Sequence, residues 1–208
     1  QHGRDPKGEY DAAHIPGARF FDIDEISNTR SELPHMAPPV EKFTSRLRAM
    51  GIGDGHQVVV YDGSGLSSAA RVWWTFRLMG KTDIAVLDGG FPKWQAEGRP
   101  VEDLPPVMRD RHMTVSRQAH MIKDVTQVAA AAKLGDYEIL DARSRGRFEG
   151  TEPEPREGLR SGHIPNSKNL PFTELKAETR LTSTEKSSGL SSCDRGAFRM
   201  SFLVSWDI

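Results

Sequence analysis

The stretch at 141–172 reads DARSRGRFEGTEPEPREGLRSGHIPNSKNLPF, and its second half repeats a pattern that is already present near the N-terminus. The tripeptide His-Ile-Pro at 163–165 echoes the same tripeptide at 14–16. In each copy a polar loop rich in charged residues leads into His-Ile-Pro, and a short apolar run follows. Self-similarity of this kind predicts two related structural units in one chain.

Composition and length bound the class of protein. A chain of 208 residues allows one or two domains, and the repeat favours two. With 28 basic and 29 acidic side chains, no overall field attracts nucleic acid or an anionic membrane. The longest apolar runs are far shorter than the roughly 20 residues that a membrane-spanning helix needs. We therefore expect a soluble protein with neither nucleic acid nor a membrane as partner.

Cysteine usage and the N-terminus suggest a compartment. Residues 1–20 lack the apolar core and the small-residue cleavage pattern of a secretory signal, so export is not expected. Cys193 is the sole cysteine, which excludes an intrachain disulfide and fits a reducing cytoplasm. A lone cysteine is more often an inert structural thiol than a nucleophile, and both interpretations of Cys193 stay open at this point.

Local patterns alternate between helix and strand. Apolar residues at three- and four-residue spacing predict a helix over 40–50, and the β-branched run at 57–61 predicts a strand buried on both faces. Another short strand is expected at 84–87. The second copy is expected to contain a strand at 112–116, a helix over 122–134 and a strand at 137–140. This alternation predicts an α/β fold with a largely parallel sheet in each unit.

The first copy shows no strand-like run ahead of its polar loop, whereas the second copy does. We therefore expect the first unit to lack its opening strand. In a parallel sheet, a missing strand leaves an unpaired edge or a gap.

A glycine-rich turn follows the predicted strand at 57–61. It reads DGSGLSS at 62–68 and leads into a helical pattern. Backbone N–H groups of such a turn point inward and the helix N-terminus adds positive potential, so the turn can cradle an anion or a thiolate. Asp62 stands at its first position, and a tight turn without a ligand is the alternative interpretation.

Three motifs together resemble the two-domain rhodanese-like sulfurtransferases, and within them the 3-mercaptopyruvate sulfurtransferases. They are the doubled His-Ile-Pro, the segment DGGFPKW at 88–94 and the segment GRFEGTEPEPR at 146–156. The resemblance extends from about Gly3 to about Leu175. It implies tandem rhodanese-like domains, each with a largely parallel sheet flanked by helices.

The resemblance also implies a domain organisation. A non-catalytic rhodanese-like domain is expected at 1–98, followed by a Pro-rich, charged linker at 99–111. A catalytic-type domain is expected at 112–208, incomplete and divergent after about residue 178. The change in composition there resembles a truncated or frame-shifted terminus.

Members of the family move sulfur from 3-mercaptopyruvate or thiosulfate, through a cysteine persulfide, to a thiol or cyanide. The resemblance therefore implies a small anionic sulfur donor, a thiol or cyanide acceptor, and neither a metal nor an organic cofactor. This chemistry needs a thiolate of lowered pKa and cations that hold the donor.

Four residues match family positions with a role. Arg147 and Arg156 match the arginines that bind the donor, for which a planar guanidinium is the natural carboxylate partner. Asp24 and His35 match residues at the domain interface that assist proton transfer. From the residues alone, ordinary alternatives stay open: an ion pair between the arginines and a nearby glutamate, a loop histidine and a helix-capping aspartate. The glutamates available for such a pair are Glu149, Glu152, Glu154 and Glu157.

The nucleophile is the point at which the sequence departs from the family. The family's cysteine position is occupied by Asp62 in the first copy, so the resemblance predicts that this copy is catalytically silent and favours a tight turn without a ligand at 62–68. In the second copy the candidate is Cys193, but it lies 30 residues after His163, whereas 48 residues separate His14 from Asp62. The intervening segment 179–192 contains no strand-like run that would present the cysteine.

Two further functions therefore stay open. The chain could be a catalytically inactive rhodanese-like remnant that binds anions through Arg147 and Arg156. Alternatively, Cys193 and Arg199 form the Cys-x5-Arg pattern of cysteine phosphatases, which would make the chain a phosphatase-like enzyme.

Overall fold

The computed structural model describes residues 4–155, 158–174 and 200–205. It divides into two compact units, the first comprising Gln1–Ala119 with Asp194–Ile208 and the second His120–Cys193. The helices are α1 (Pro6–Ala12), α2 (Ile23–Ile26), α3 (Val40–Ala49), α4 (Ala69–Leu78), α5 (Gly90–Ala96), α6 (Val125–Leu134) and α7 (Arg145–Glu149), with a 3-10 turn at Ala119–Met121. The strands are β1 (Arg19–Phe20), β2 (Gln57–Asp62), β3 (Ile84–Val86), β4 (Ile139–Asp141), β5 (Ser167–Asn169) and β6 (Met200–Ser205). Within these described ranges, no helix has the length and apolar character to cross a membrane.

The first unit contains a four-stranded parallel sheet in the order β1-β6-β2-β3. The whole of β2 aligns residue for residue with β6, from Gln57 opposite Met200 to Asp62 opposite Ser205. On its other side, β6 pairs with both residues of β1. The described strands leave no gap in this sheet, because β6 occupies the place between β1 and β2. That the first unit lacks its own opening strand stays a prediction.

The main apolar core lies where β2 packs against α3 and α4. Alternate residues Val58 and Val60 of β2 are fully buried against Phe43 and Leu47 of α3 and Phe76 of α4. The rings of Phe43 and Phe76 meet edge to face with centroids 5.2 Å apart. Fully burying a side chain of this size contributes about 1.5–3 kcal/mol, so this layer holds the first unit together.

A second apolar cluster surrounds the first His-Ile-Pro copy. Ile15 is buried with Tyr10, Ala18, Tyr61 and Phe91. Tyr61 Oη accepts a hydrogen bond from the Ile15 N–H at 3.0 Å, and Tyr10 Oη donates one to the Ala18 carbonyl at 2.8 Å. Both buried hydroxyls are therefore satisfied, which removes the cost of placing them in an apolar layer.

Most predicted elements are found, with one exception. The predicted helix over 40–50 and strand over 57–61 correspond to α3 and β2. The predicted strand at 112–116 is wrong: its backbone is held outside any ladder, with the Thr114 N–H donating to Asp54 Oδ1 at 2.7 Å and the Ser116 N–H to the Met79 carbonyl at 3.1 Å. Local hydrogen bonds thus take the place of strand pairing.

The second unit is smaller and more open. Within 120–155 and 158–174, strands β4 and β5 pair in parallel, with Ile139 opposite Ser167. A capping box between Asp124 and Gln127 begins helix α6. The helix ends at Leu134, and its C-cap is Gly135, whose φ of 71° suits glycine. Among the residues of this unit that the structure describes, Ala132 and Pro171 are the two that are buried. The α/β fold with small parallel sheets is confirmed, whereas the domain boundaries remain predictions.

Candidate functional site

Backbone N–H groups of the glycine-rich turn after β2 bind the side-chain carboxylate of Asp62, the first residue of the turn. Asp62 is fully buried at the end of β2. Its Oδ1 accepts hydrogen bonds from the N–H groups of Ser64 at 3.1 Å and Leu66 at 3.0 Å. Its Oδ2 accepts from those of Ser67 at 2.6 Å and Ala69 at 3.0 Å. The amides that could cradle an anion therefore already bind one from within the chain, as expected of a turn without a ligand.

The sequence-predicted pair Asp24 and His35 comes together in the first unit. Asp24 lies in α2, and its Oδ1 lies 2.7 Å from Nδ1 of His35 in the loop that follows. The ring N–H is not aligned with this oxygen for a good hydrogen bond, so the contact is an ion pair when the ring is protonated.

Arg71 fixes the backbone at His35. His35 has a φ of 55°, in the left-handed region that non-glycine residues seldom adopt. The Arg71 guanidinium of α4 donates to the His35 carbonyl and lies over the Trp74 ring, 4.7 Å from its centroid. Burial lowers the pKa of Arg71. A cation from another helix thus holds the loop that carries the imidazole.

In the second unit, Arg147 lies in α7 and binds Glu154. Its Nε and Nη2 lie 3.2 Å and 2.5 Å from Glu154 Oε2. Glu154 is nearly inaccessible, with 4% of its side chain exposed, and its other oxygen accepts from Arg143 Nη1 at 2.6 Å. The carboxylate of Glu154 therefore orients the guanidinium of Arg147 from one side.

Arg143 joins this loop to the strand before it and to the second His-Ile-Pro copy. Its Nε lies 3.0 Å from each carboxylate oxygen of Asp141, at the end of β4. Its Nη2 also donates to the Gly162 carbonyl at 2.8 Å, immediately before His163. A single guanidinium thus connects three segments, a role for which the planar fork of arginine is suited.

The ion pairs lower the pKa values of both carboxylates. Hydrogen bonds from Arg143 hold the pKa of Asp141 below its ordinary value. The hydrogen bond from Arg147, with a further one from Arg143, does the same to the pKa of Glu154. In return, the hydrogen bond to Asp141 raises the pKa of Arg143. Both carboxylates are therefore charged at neutral pH and keep the arginines in place.

The sequence pointed to Arg147 but gave no indication of a role for Arg143. It also left four glutamates as possible ion-pair partners of the arginines, with no means of choosing among them. The structure selects Glu154, while Glu152 instead accepts a hydrogen bond from Ser144 Oγ at 2.9 Å. The available signal was the pair of arginines four residues apart, followed by glutamates within the same stretch. Spacing alone does not show which carboxylate becomes buried.

Two predicted site residues, Arg156 and Cys193, lie outside the residues that the structure describes, and so does Arg199. The roles of Arg147, Asp24 and His35 likewise remain predictions. Within 4–155 and 158–174, the structure contains no cluster of His, Cys, Asp and Glu side chains suited to a metal ion.

Comparison with known proteins places these features in a family. Residues 4–97 match the family described as the rhodanese-like domain. The chain is 44% identical over 193 residues to thiosulfate/3-mercaptopyruvate sulfurtransferase 1, mitochondrial, of Arabidopsis thaliana, covering 83% of this chain and 51% of that protein. It is 40% identical over 175 residues to 3-mercaptopyruvate sulfurtransferase of Rattus norvegicus, covering 83% and 59%.

A solved structure agrees. The crystal structure of SseA from Escherichia coli, a 3-mercaptopyruvate sulfotransferase, superposes with a TM-score of 0.74 at 35% identity, covering 84% of this chain and 65% of that one. The chain thus spans between about half and two thirds of the length of the relatives that it matches. The extent and level of this similarity show that the chain belongs to the rhodanese-like family and is homologous to the 3-mercaptopyruvate sulfurtransferases.

Proposed function

We propose that the chain acts in sulfur transfer, moving sulfur from 3-mercaptopyruvate or thiosulfate through a cysteine persulfide to a thiol or cyanide. The observation that carries this proposal is the 44% identity to a sulfurtransferase over 83% of the chain. Because the first unit comprises only 1–119 and 194–208, a similarity over 83% of the chain also includes part of the second unit. The relatives named above are sulfurtransferases, and none of them is a phosphatase.

The donor is held by Arg147 and Arg156 in this proposal. Glu154 binds Arg147 through Nε and Nη2, and no hydrogen bond joins Nη1 of Arg147 to the described residues. That edge of the guanidinium suits a carboxylate such as the one on 3-mercaptopyruvate. Glu154 then has the task of positioning the arginine, and Arg143 of positioning Glu154.

The chemical step needs a nucleophile and a proton. The Cys193 thiolate attacks the sulfur of 3-mercaptopyruvate, an S–S bond forms while the C–S bond breaks, and pyruvate leaves as its enolate. The enolate takes up a proton to give pyruvate, and Asp24 with His35 assists this transfer. An imidazole can both donate and accept a proton, and Asp24 Oδ1 lies 2.7 Å from His35 Nδ1.

The setting proposed is a reducing cytoplasm, in which thiol acceptors persist. The presence of one cysteine in 208 residues supports it. The tandem arrangement of domains belongs to the same proposal and is supported by the repeated His-Ile-Pro. No metal or organic cofactor enters the proposed step.

Single-turnover sulfur loading tests the proposal. The protein is incubated with 3-mercaptopyruvate, and intact mass is recorded for the wild type and for Cys193→Ser, Arg147→Met and Arg145→Met. We expect one added sulfur atom on the wild type, none on Cys193→Ser, and at least tenfold slower loading on Arg147→Met. Arg145→Met is the matched control, because Arg145 lies in the same helix but is exposed and pairs with Glu174.

Each of the other outcomes identifies a different function. A folded wild type that gains no sulfur but binds 3-mercaptopyruvate through Arg147 would be the anion-binding remnant. Hydrolysis of an aryl phosphate that disappears in Arg199→Ala would identify the phosphatase-like enzyme. Either result contradicts the proposed sulfur transfer.

A further inference from the structure

Strand β6 occupies an unusual place in the first unit. It comes from the far end of the chain, yet it lies in the middle of the sheet, between β1 and β2. Every residue of β2 faces a residue of β6 in register, and both residues of β1 do the same. Among the described strands, β1 has no other partner. The sheet is therefore continuous only when a strand from elsewhere is inserted.

The place that β6 fills has two hydrogen-bonding edges. One edge is β2, which pairs with β3 on its opposite side, and the other is β1. All neighbouring strands in this sheet run parallel. An occupant must therefore be extended, run parallel to β2 and offer backbone N–H and C=O groups on both of its sides, since unpaired groups in a sheet interior are costly.

The sequence of the occupant fits a central strand. Residues 200–205 read MSFLVS, with three consecutive apolar residues in the middle. Continuous apolar runs are typical of strands covered on both faces, and β-branched and aromatic residues favour extended structure. The segment contains neither proline nor glycine, which would weaken a central strand.

We propose that the place between β1 and β2 is a binding site for one extended apolar peptide strand, and that Met200–Ser205 is its intramolecular occupant. Main-chain hydrogen bonds on both sides supply the affinity, as in other cases of strand addition. Attachment to the same chain makes binding of the occupant intramolecular, which raises its effective concentration above that of a free peptide. A peptide of the same sequence added at micromolar concentration therefore competes poorly in the wild type.

Occupancy of this site affects what lies at the carboxyl ends of the strands. β1 leads into the loop and helix that carry Asp24, and β2 ends at Asp62, whose carboxylate orders the glycine-rich turn. Asp62 itself faces Ser205 of the inserted strand. The bound strand thus fixes the spacing between these two segments of the first unit.

The test removes the occupant from the site in the 208-residue chain. Leu203→Pro removes a backbone N–H at the position that faces both Arg19 and Val60, and proline is excluded from central strands. Leu203→Ile is the matched control, because it keeps the N–H and an apolar side chain. The probe is a fluorescein-labelled synthetic peptide of residues 198–208, with a scrambled peptide of equal composition as its control.

We expect saturable, one-to-one binding of the peptide to Leu203→Pro, at least tenfold tighter than to the wild type or Leu203→Ile, measured by fluorescence anisotropy. Folded Leu203→Pro that binds the peptide no better than the scrambled sequence would overturn the proposal. If Leu203→Pro does not fold, amide hydrogen exchange of the wild type tests the proposal instead. Protection of 200–205 equal to that of 57–62 supports the proposal, and exchange of 200–205 at unfolded rates overturns it.

Discussion

The two His-Ile-Pro copies share a local geometry but differ in their surroundings. His14 Nδ1 lies 2.8 Å from the Tyr10 carbonyl, and its ring stacks on Tyr10 with centroids 4.2 Å apart and planes 16° apart. His163 Nδ1 lies 2.8 Å from the Phe148 carbonyl, and its ring stacks on Phe148 at 3.9 Å and 11°. In both copies the histidine thus closes the end of a short helix by the same pair of contacts.

Burial separates the two copies. Ile15 is 1% exposed, whereas Ile164 is 44% exposed. His14 is also buried, and His163 is exposed. In the part of the chain that the structure describes, the first copy lies beside a four-stranded sheet, and the second lies beside a two-stranded one. The local sequence therefore determines the conformation of the turn, while the size of the neighbouring sheet determines how much of the turn is buried.

Electrostatics differ in the same way. Burial raises the pKa of Tyr10, the stacking partner in the first copy, to about 12. In the second unit the shifted groups are instead Asp141 and Glu154, and hydrogen bonds from Arg143 and Arg147 lower their pKa values. The first unit is held chiefly by an apolar core, and the described part of the second depends more on charge.

Truncating the isoleucine of each copy gives the largest expected effect. Ile15→Ala leaves a cavity in a closed cluster and is expected to lower the free energy of unfolding by about 2–5 kcal/mol. Ile164→Ala removes a side chain that is already half exposed, so about 1 kcal/mol or less is expected. Urea unfolding of both variants measures the difference.

Tryptophan fluorescence helps to assign each urea unfolding transition to one of the two units. All four lie outside 120–193, so their fluorescence follows the first unit, while far-UV circular dichroism follows both. Equal losses of unfolding free energy in the two variants would mean that the two copies are equally buried in solution, which contradicts the exposures of Ile15 and Ile164.

Removing Arg143 gives a smaller effect that is confined to the second unit. In Arg143→Met, the pKa of Asp141 is expected to rise toward its ordinary value of 3.8, and that of Glu154 to rise less toward 4.5, because Arg147 still binds it. In the wild type the folded pKa values lie below the unfolded ones. The contacts therefore stabilise fully above about pH 4.5, and this stability is lost as pH falls through the lowered values.

Carbon-13 NMR of the carboxyl groups follows both titrations directly. Arg145→Met serves as the control, since its exposed pair with Glu174 touches neither carboxylate. Unchanged midpoints in Arg143→Met would show that Arg143 does not hold Asp141 in solution.

Structural features that depend on residues close together in the chain can be predicted from the sequence. Helix α3 and strand β2 follow from apolar spacing and a β-branched run, and the tight turn at Asp62 follows from its glycines. The pairing of Asp24 with His35 is a different case: family resemblance singled out both residues, and the structure places them in contact.

Long-range partners could not be predicted in this way. The insertion of β6 joins segments more than a hundred residues apart, and the sequence indicates an apolar run without indicating which strands it enters. The choice of Glu154 among four glutamates depends on burial, which spacing does not reveal. In both cases the tertiary structure decides between options that are locally equivalent.

Chemical labelling of the histidines tests the central comparison most directly. Diethyl pyrocarbonate modifies accessible imidazole nitrogens, and peptide mass spectrometry reads the rate at each histidine in the same folded sample. His14 and His163 make the same stacking and carbonyl contacts, so a difference in rate reports their burial. We predict that His163 reacts at least tenfold faster than His14. Similar rates at the two residues in the folded protein would contradict the conclusion that the first copy is buried and the second is exposed.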